Sequence, residues 1–236
     1  MQNKWAVSWT AGVAMTVLLA SPLLWAGDQD ISKVNGAIRV DSGRQVGSVE
    51  TVNGSIHLGD SVHAEDIETV SGSIDIGHDS TVGDIDTVNG SVTLDRNTKA
   101  DSVETVNGRV RLDEQVEVRG DVTNVNGGIT LAKGARVGGQ IENVNGKIEL
   151  DGATVSNGIK TTNSDIEIGA DSRVDGGIHV EKPNGVNFFS TKRKPRITIG
   201  PNAVVNGTLK FDREVELHIS DSARVGKIVG ATPIRE

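Results

Sequence analysis

Carboxylates recur along this chain at a fixed interval. Glu50, Glu68, Asp86 and Glu104 stand eighteen residues apart, Thr123 interrupts the series, and Glu142 resumes it. Acidic side chains brought together can ligate a cation, act as a general acid and base on a polysaccharide, or form a solvated edge. If the interval is that of a stacked repeat, neighbouring carboxylates lie roughly 5 Å apart. Like charges at that spacing repel, so water or a cation must relieve them. No glycine-rich calcium nonapeptide accompanies them, which makes a solvated edge the expectation. The second concentration of chemistry is Phe188 and Phe189 followed by Lys192, Arg193, Lys194 and Arg196, the candidate binding residues. Aromatic and basic groups in one short run suit an anionic surface, a membrane face or a partner. The plainer reading is that the phenylalanines pack on the scaffold while the basic residues pair with its acidic coils.

Other chemistry is thin. His57, His63, His78, His179 and His218 fall at unrelated places in the repeat, so no metal site is expected. There is no nucleophile elbow, phosphate loop or dinucleotide fingerprint. The expectation is a noncatalytic protein without a cofactor. A polysaccharide-active enzyme remains the least favoured alternative, because paired acids arise in every repeat without aromatic subsites beside them.

The elements that position these groups follow from one motif written seven times. Lys33-Val34-Asn35-Gly36 becomes Thr51-Val52-Asn53-Gly54, then Thr69-Val70-Ser71-Gly72, and the series runs through Asn143-Val144-Asn145-Gly146. A period of eighteen to nineteen residues, with strand-type residues and no helix-length apolar stripe, describes a solenoid in which each repeat is one coil. Val52, Gly54, Ile56 and Leu58 alternate, which predicts one inward-facing strand of about seven residues. Polar segments such as Gly77-His78-Asp79-Ser80 read as corners, and Glu68 with Thr69 is expected to face solvent at a further bend. Three faces and three bends make a triangular, single-stranded parallel β-helix of about ten coils, all-β. Aliphatic or alanine residues at every sixth position from Val34 to Val118 match the rhythm of left-handed helices. The three hexads of each coil are unlike, however, and the period slips to nineteen after Val118, so the right-handed form is favoured. Asn-Gly, often a hairpin signal, recurs too far apart for hairpins to nest. It is read instead as an amide ladder beside a glycine that leaves room between coils.

Composition sets the compartment. Residues 1–26 carry only Lys4, an apolar stretch from Trp5 to Leu24, Pro22 and a small Ala26, the pattern of a cleaved secretory signal peptide. All three tryptophans lie within it, and the remainder has no Trp, Tyr or Cys and only Phe188, Phe189 and Phe211. Disulfides are thereby excluded, and the scarcity of aromatics argues against an aromatic-lined sugar or nucleotide site. The formal charge of −8 falls to −9 when Lys4 is removed, which disfavours nucleic acid as a partner. The domain reading is a signal peptide at 1–26 and a β-helix domain at 27–236. Within the latter are regular coils at 33–180, an inserted Pro-bounded basic loop at 181–195, and terminal coils at 196–236. No transmembrane segment is expected after signal cleavage, and the expected location is the periplasm or cell surface.

The recurrent Val-Asn-Gly-Ser-Ile with Glu-Thr between coils, behind a signal peptide, resembles a bacterial adhesin-like repeat family of unknown function. Gly134-Ala-Arg-Val-Gly-Gly-Gln-Ile141, Asp171-Ser-Arg-Val-Asp-Gly-Gly-Ile178 and Asn202-Ala-Val-Val-Asn-Gly-Thr-Leu209 are similar to the coils of bactofilins. Bactofilins are polymer-forming proteins with a right-handed β-helix that lack a cleaved export signal. The resemblance implies a rigid exported rod with a structural or adhesin-like role in the cell envelope. With no obvious cap at either end of the domain, end-to-end self-association is expected. The alternative is a monomeric module that binds an envelope component or a glycan.

Overall fold

The structure, a computed structural model, describes residues 29–183 and 193–235. Its described residues form only strands, turns and bends, and every strand pairing is parallel. Two sheets contain eleven strands each and a third contains seven. Face A begins with Ile31–Asn35 and Val49–Asn53, face B with Ile38–Val40 and Ile56–Leu58, and face C with Lys99–Ala100 and Glu117–Val118. Single bridges continue face C upward through Gln45, His63, Thr81 and Lys99. Successive strands of a face are one coil apart, so the chain is a β-solenoid of eleven turns, one more than the sequence suggests. The extra turn is the last pair of short strands, Ile228–Val229 and Ile234–Arg235.

Each coil sends six side chains inward, two per face. In the second turn these are Val49 and Thr51, Ile56 and Leu58, Val62 and Ala64, all buried except the partly buried Ala64. Within a face the spacing is two residues, as a strand requires. Across the corners it is five, four and three, so three unequal faces still sum to eighteen. The core is accordingly a set of aliphatic columns, and each fully buried Ile or Leu contributes about 1.5–3 kcal/mol.

The motif sits differently from the sequence expectation. Val52 is half-buried on the outer side of face A, and Gly54 lies at the corner, so the chain turns where an unbroken strand of seven was expected. Thr69, expected in solvent with Glu68, is buried at 4% exposure. The inward column at this point is polar because it has a task. Thr69, Thr87 and Thr105 each donate a hydroxyl hydrogen bond to the glycine carbonyl of the coil before, at 3.1, 3.3 and 3.0 Å. Asn124 and Asn143 do the same through their amides, at 2.9 and 3.0 Å. That carbonyl lies inside a sharp bend where no ladder partner can reach it, and a buried acceptor left unpaired costs about 1–3 kcal/mol. The bend also explains the glycine: a Cβ on Gly90 would lie 1.8 Å from the carbonyl oxygen of Gly72.

The corner between faces B and C carries its own signature. Gly43, Ser61, Asp79, Asn97, Gln115, Gly134 and Gly152 occupy one position there, all with φ between 56° and 77°. Left-handed backbone at one site per coil is tolerated by Gly, Asn and Asp and resisted by Gln.

Candidate functional site

Face A orders its outward side chains into columns. The register pairs Glu50 with Glu68, Glu68 with Asp86, Asp86 with Glu104, Glu104 with Thr123, and Thr123 with Glu142. The interrupted series seen in the sequence is therefore one continuous line across six coils. Beyond it the sign reverses, as Lys160, His179 and Lys210 occupy the same column. Lys160 stands 3.5 Å from Glu142 and 3.6 Å from Glu181, while His179 and Lys210 share Asp212 at 2.7 and 3.1 Å. Those hydrogen bonds, from His179 first and Lys210 second, hold the Asp212 carboxyl below its ordinary range.

The upper half of the column has no such relief. Burial is the main cause that pushes Asp86 up to about 7, and the carboxylates of Glu104, Glu68, Asp84 and Asp66 add to it. Glu68 is raised as well, by burial first and then by Glu50 and Asp66. None of the groups acting on Asp86 is a cation. Beside this column runs a line of half-exposed valines from Val52 to Val125. Outside the valines Asn107 donates its amide to Asn89 at 2.9 Å, Asn126 to Asn107 at 3.0 Å, Asn145 to Asn126 at 3.0 Å and Asn163 to Asn145 at 3.1 Å. Asn53 likewise donates to Asn35 at 3.2 Å. Ser71 stands in the register position between Asn53 and Asn89 and divides this amide ladder in two.

Of the six binding residues expected from sequence, Phe188, Phe189 and Lys192 lie outside the described residues. The other three are engaged at the edge of face B. Arg193 pairs with Asp165, Lys194 with Glu214 at 3.0 Å, and Arg196 with Glu216 at 3.2 Å. Asp165 also accepts the backbone N–H of Arg196 at 2.9 Å. Arg213, which sequence reasoning did not single out, donates to the carbonyls of Thr162 at 3.0 Å and Arg193 at 3.1 Å. It thus fastens the coil before the insertion to the residues that follow it. No local pattern could have flagged Arg213, because its partners lie fifty-one and twenty positions away. Asp165, Arg193, Lys194, Arg196 and Glu216 line a shallow open depression in which Arg193 pairs with Asp165 and Arg196 with Glu216, while Lys194 reaches Glu214 beside it.

The histidines are less scattered than the sequence suggests. His57 and His218 belong to one column of face B, since the register runs from His57 through Asp75, Thr93 and Arg111 to Thr198 and His218. Seven coils separate them, so they cannot share a ligand. His78 lies 3.1 Å from Asp60 and 2.7 Å from Asp79. Among the described residues no three His, Asp or Glu side chains converge to hold a metal ion, and no helix is long and apolar enough to cross a membrane. No family model matches the chain, and neither a curated protein nor a solved structure matches it.

Proposed function

We propose that the protein is a noncatalytic, exported rod of the cell envelope, structural or adhesin-like, whose side faces present a periodic polar surface to an envelope component or a glycan. The observation that carries this reading is the register of face A, which repeats the same outward residue types from coil to coil. A contact made at one coil is offered again about 4.8 Å further along, and repeated weak contacts on a rigid support sum to high avidity. Export is supported by the sequence of residues 1–26, and the absence of cysteine agrees with a scaffold held by its ladder.

The test is binding of the purified protein to envelope fractions and immobilised glycans, compared with a Glu50→Lys, Glu104→Lys variant that leaves the core intact. Saturable binding changed by the variant supports the reading. Binding to no fraction and no glycan sinks it, as does release of reducing ends from a polysaccharide.

A further inference from the structure

Asn-Gly is the pair at which a protein chain most readily reacts with itself. A glycine carries no side chain to keep its backbone nitrogen away from the carbonyl carbon of the preceding asparagine amide. Eight such pairs lie among the described residues, and the coils hold them unequally. Five are locked. The N–H of Gly36, Gly54, Gly90, Gly108 and Gly127 each donates to a carbonyl of the next coil, at 2.8 to 3.0 Å. The asparagines before them are joined by the rungs of the amide ladder. To react, such a pair must first give up a backbone hydrogen bond and at least one rung.

In the other three pairs the N–H of Gly146, Gly158 and Gly207 has no acceptor among the described residues. Two of these still hold the asparagine. Asn145 donates to Asn126 at 3.0 Å and accepts from Asn163 at 3.1 Å, and Asn206 donates to Asp175. Asn157 is different. It stands at the corner between Thr154–Val155 of face C and Ile159–Thr161 of face A, exposed, and its side chain has no partner among the described residues. The column explains why. At the position of Gly158, three other coils hand their N–H to an aspartate of the coil before: Ser48 to Asp30 at 3.0 Å, Asp84 to Asp66 at 3.1 Å, and Gln140 to Asp121 at 2.7 Å. The register of Ile141 against Ile159 places Gln140, not an aspartate, before Gly158. Gly158 is buried with φ of 103°, and a buried N–H without an acceptor is costly, so this peptide is held less firmly than its counterparts.

We infer that Asn157-Gly158 is a site of spontaneous modification, where the folded solenoid converts one asparagine to a carboxylate while it protects the others. The Gly158 nitrogen loses its proton to solvent base and forms a bond to Cγ of Asn157. The bond from Cγ to Nδ2 breaks, and ammonia leaves with a proton returned by the solvent. Water then opens the five-membered succinimide at either carbonyl and leaves an aspartate or an isoaspartate. Both products place a new negative charge on the corner. The isoaspartate also inserts a backbone carbon between two ladder bonds, Asn157 N–H to the Gly139 carbonyl and Ile141 N–H to the Gly158 carbonyl, each 3.0 Å. The reaction therefore loosens one defined joint of the rod, and it is independent of what the side faces bind.

The experiment is tryptic peptide mapping by mass spectrometry after the purified protein has stood at mildly alkaline pH in heavy-oxygen water, folded or unfolded in guanidinium chloride. Trypsin releases residues 148–160 with Asn157 as their sole asparagine, 100–109 with Asn107, 120–133 with Asn124 and Asn126, 137–147 with Asn143 and Asn145, and 197–210 with Asn202 and Asn206. In the folded protein 148–160 is expected to take up heavy oxygen at least about tenfold faster than 100–109 or 120–133, since a local opening that costs about 1.4 kcal/mol already slows a locked pair tenfold. In the unfolded chain these peptides should react at similar rates. Asn157→Gln alters an exposed side chain and closes the larger ring slowly, so its 148–160 peptide should stay unlabelled. Folded protein in which 148–160 reacts no faster than 100–109, or in which 137–147 or 197–210 outpaces it, would overturn the inference. So would the same ranking in the unfolded chain, labelling of the unfolded chain alone, or labelling of 148–160 in the Asn157→Gln variant.

Discussion

Replacing Asp86 with Asn should make the rod more stable at alkaline pH and flatten its response to pH. Asp86 is half-buried between Glu68 and Glu104, with Asp66 and Asp84 nearby, and its carboxyl is pushed up to about 7 from an ordinary 3.8. A gap of about three pH units corresponds to roughly 4 kcal/mol at about 1.36 kcal/mol per unit. Solvent reaches this side chain, and screening brings the expected effect down to about 1–2 kcal/mol. The direction follows from proton binding. Between pH 3.8 and about 7 the folded state holds a proton that the unfolded state has released. Stability from this group is therefore complete below 3.8, falls as pH rises, and is gone above about 7. Glu68, raised for the same reasons, adds in the same direction. The assay is urea denaturation at pH 5, 6, 7 and 8. The unmodified protein should lose midpoint concentration steadily between pH 5 and 8, and added salt should reduce the loss. The Asp86→Asn variant should lose much less and exceed the parent at pH 8. A parent whose midpoint is flat across this range, or a variant weakened equally at pH 5 and pH 8, would refute the reasoning. In either case the stacked carboxylates would be fully relieved by water.

Three further outcomes are expected. Gly90→Ala should cost more than about 3 kcal/mol in a thermal or urea melt, since a Cβ 1.8 Å from the Gly72 carbonyl oxygen forces neighbouring coils apart. Gln115→Gly should act oppositely and raise stability by about 1 kcal/mol, because φ of 60° strains a glutamine and suits a glycine. Asn107→Ala removes two rungs of the amide ladder, to Asn89 and to Asn126, and should cost about 1–2 kcal/mol, measurable as lost hydrogen-exchange protection in the adjoining coils.

The period is a one-dimensional property, and the sequence by itself determined what depends on it: the parallel solenoid, the three faces, the line of carboxylates and the amide ladder. Stacking identical residues at a fixed interval leaves no other register for Glu50, Glu68, Asp86 and Glu104, or for the asparagines. The assignment of side chains to the inside and the outside was decided only in three dimensions. Two-residue alternation holds within a strand and fails at a bend, so Val52 looked inward and lies outward, while Thr69 looked exposed and is buried. A buried threonine is legible only once the glycine carbonyl it satisfies has been placed. The same holds for Arg213, whose partners are remote along the chain. Charge and spacing are written in the sequence, but which column a charge enters is settled by how each corner turns.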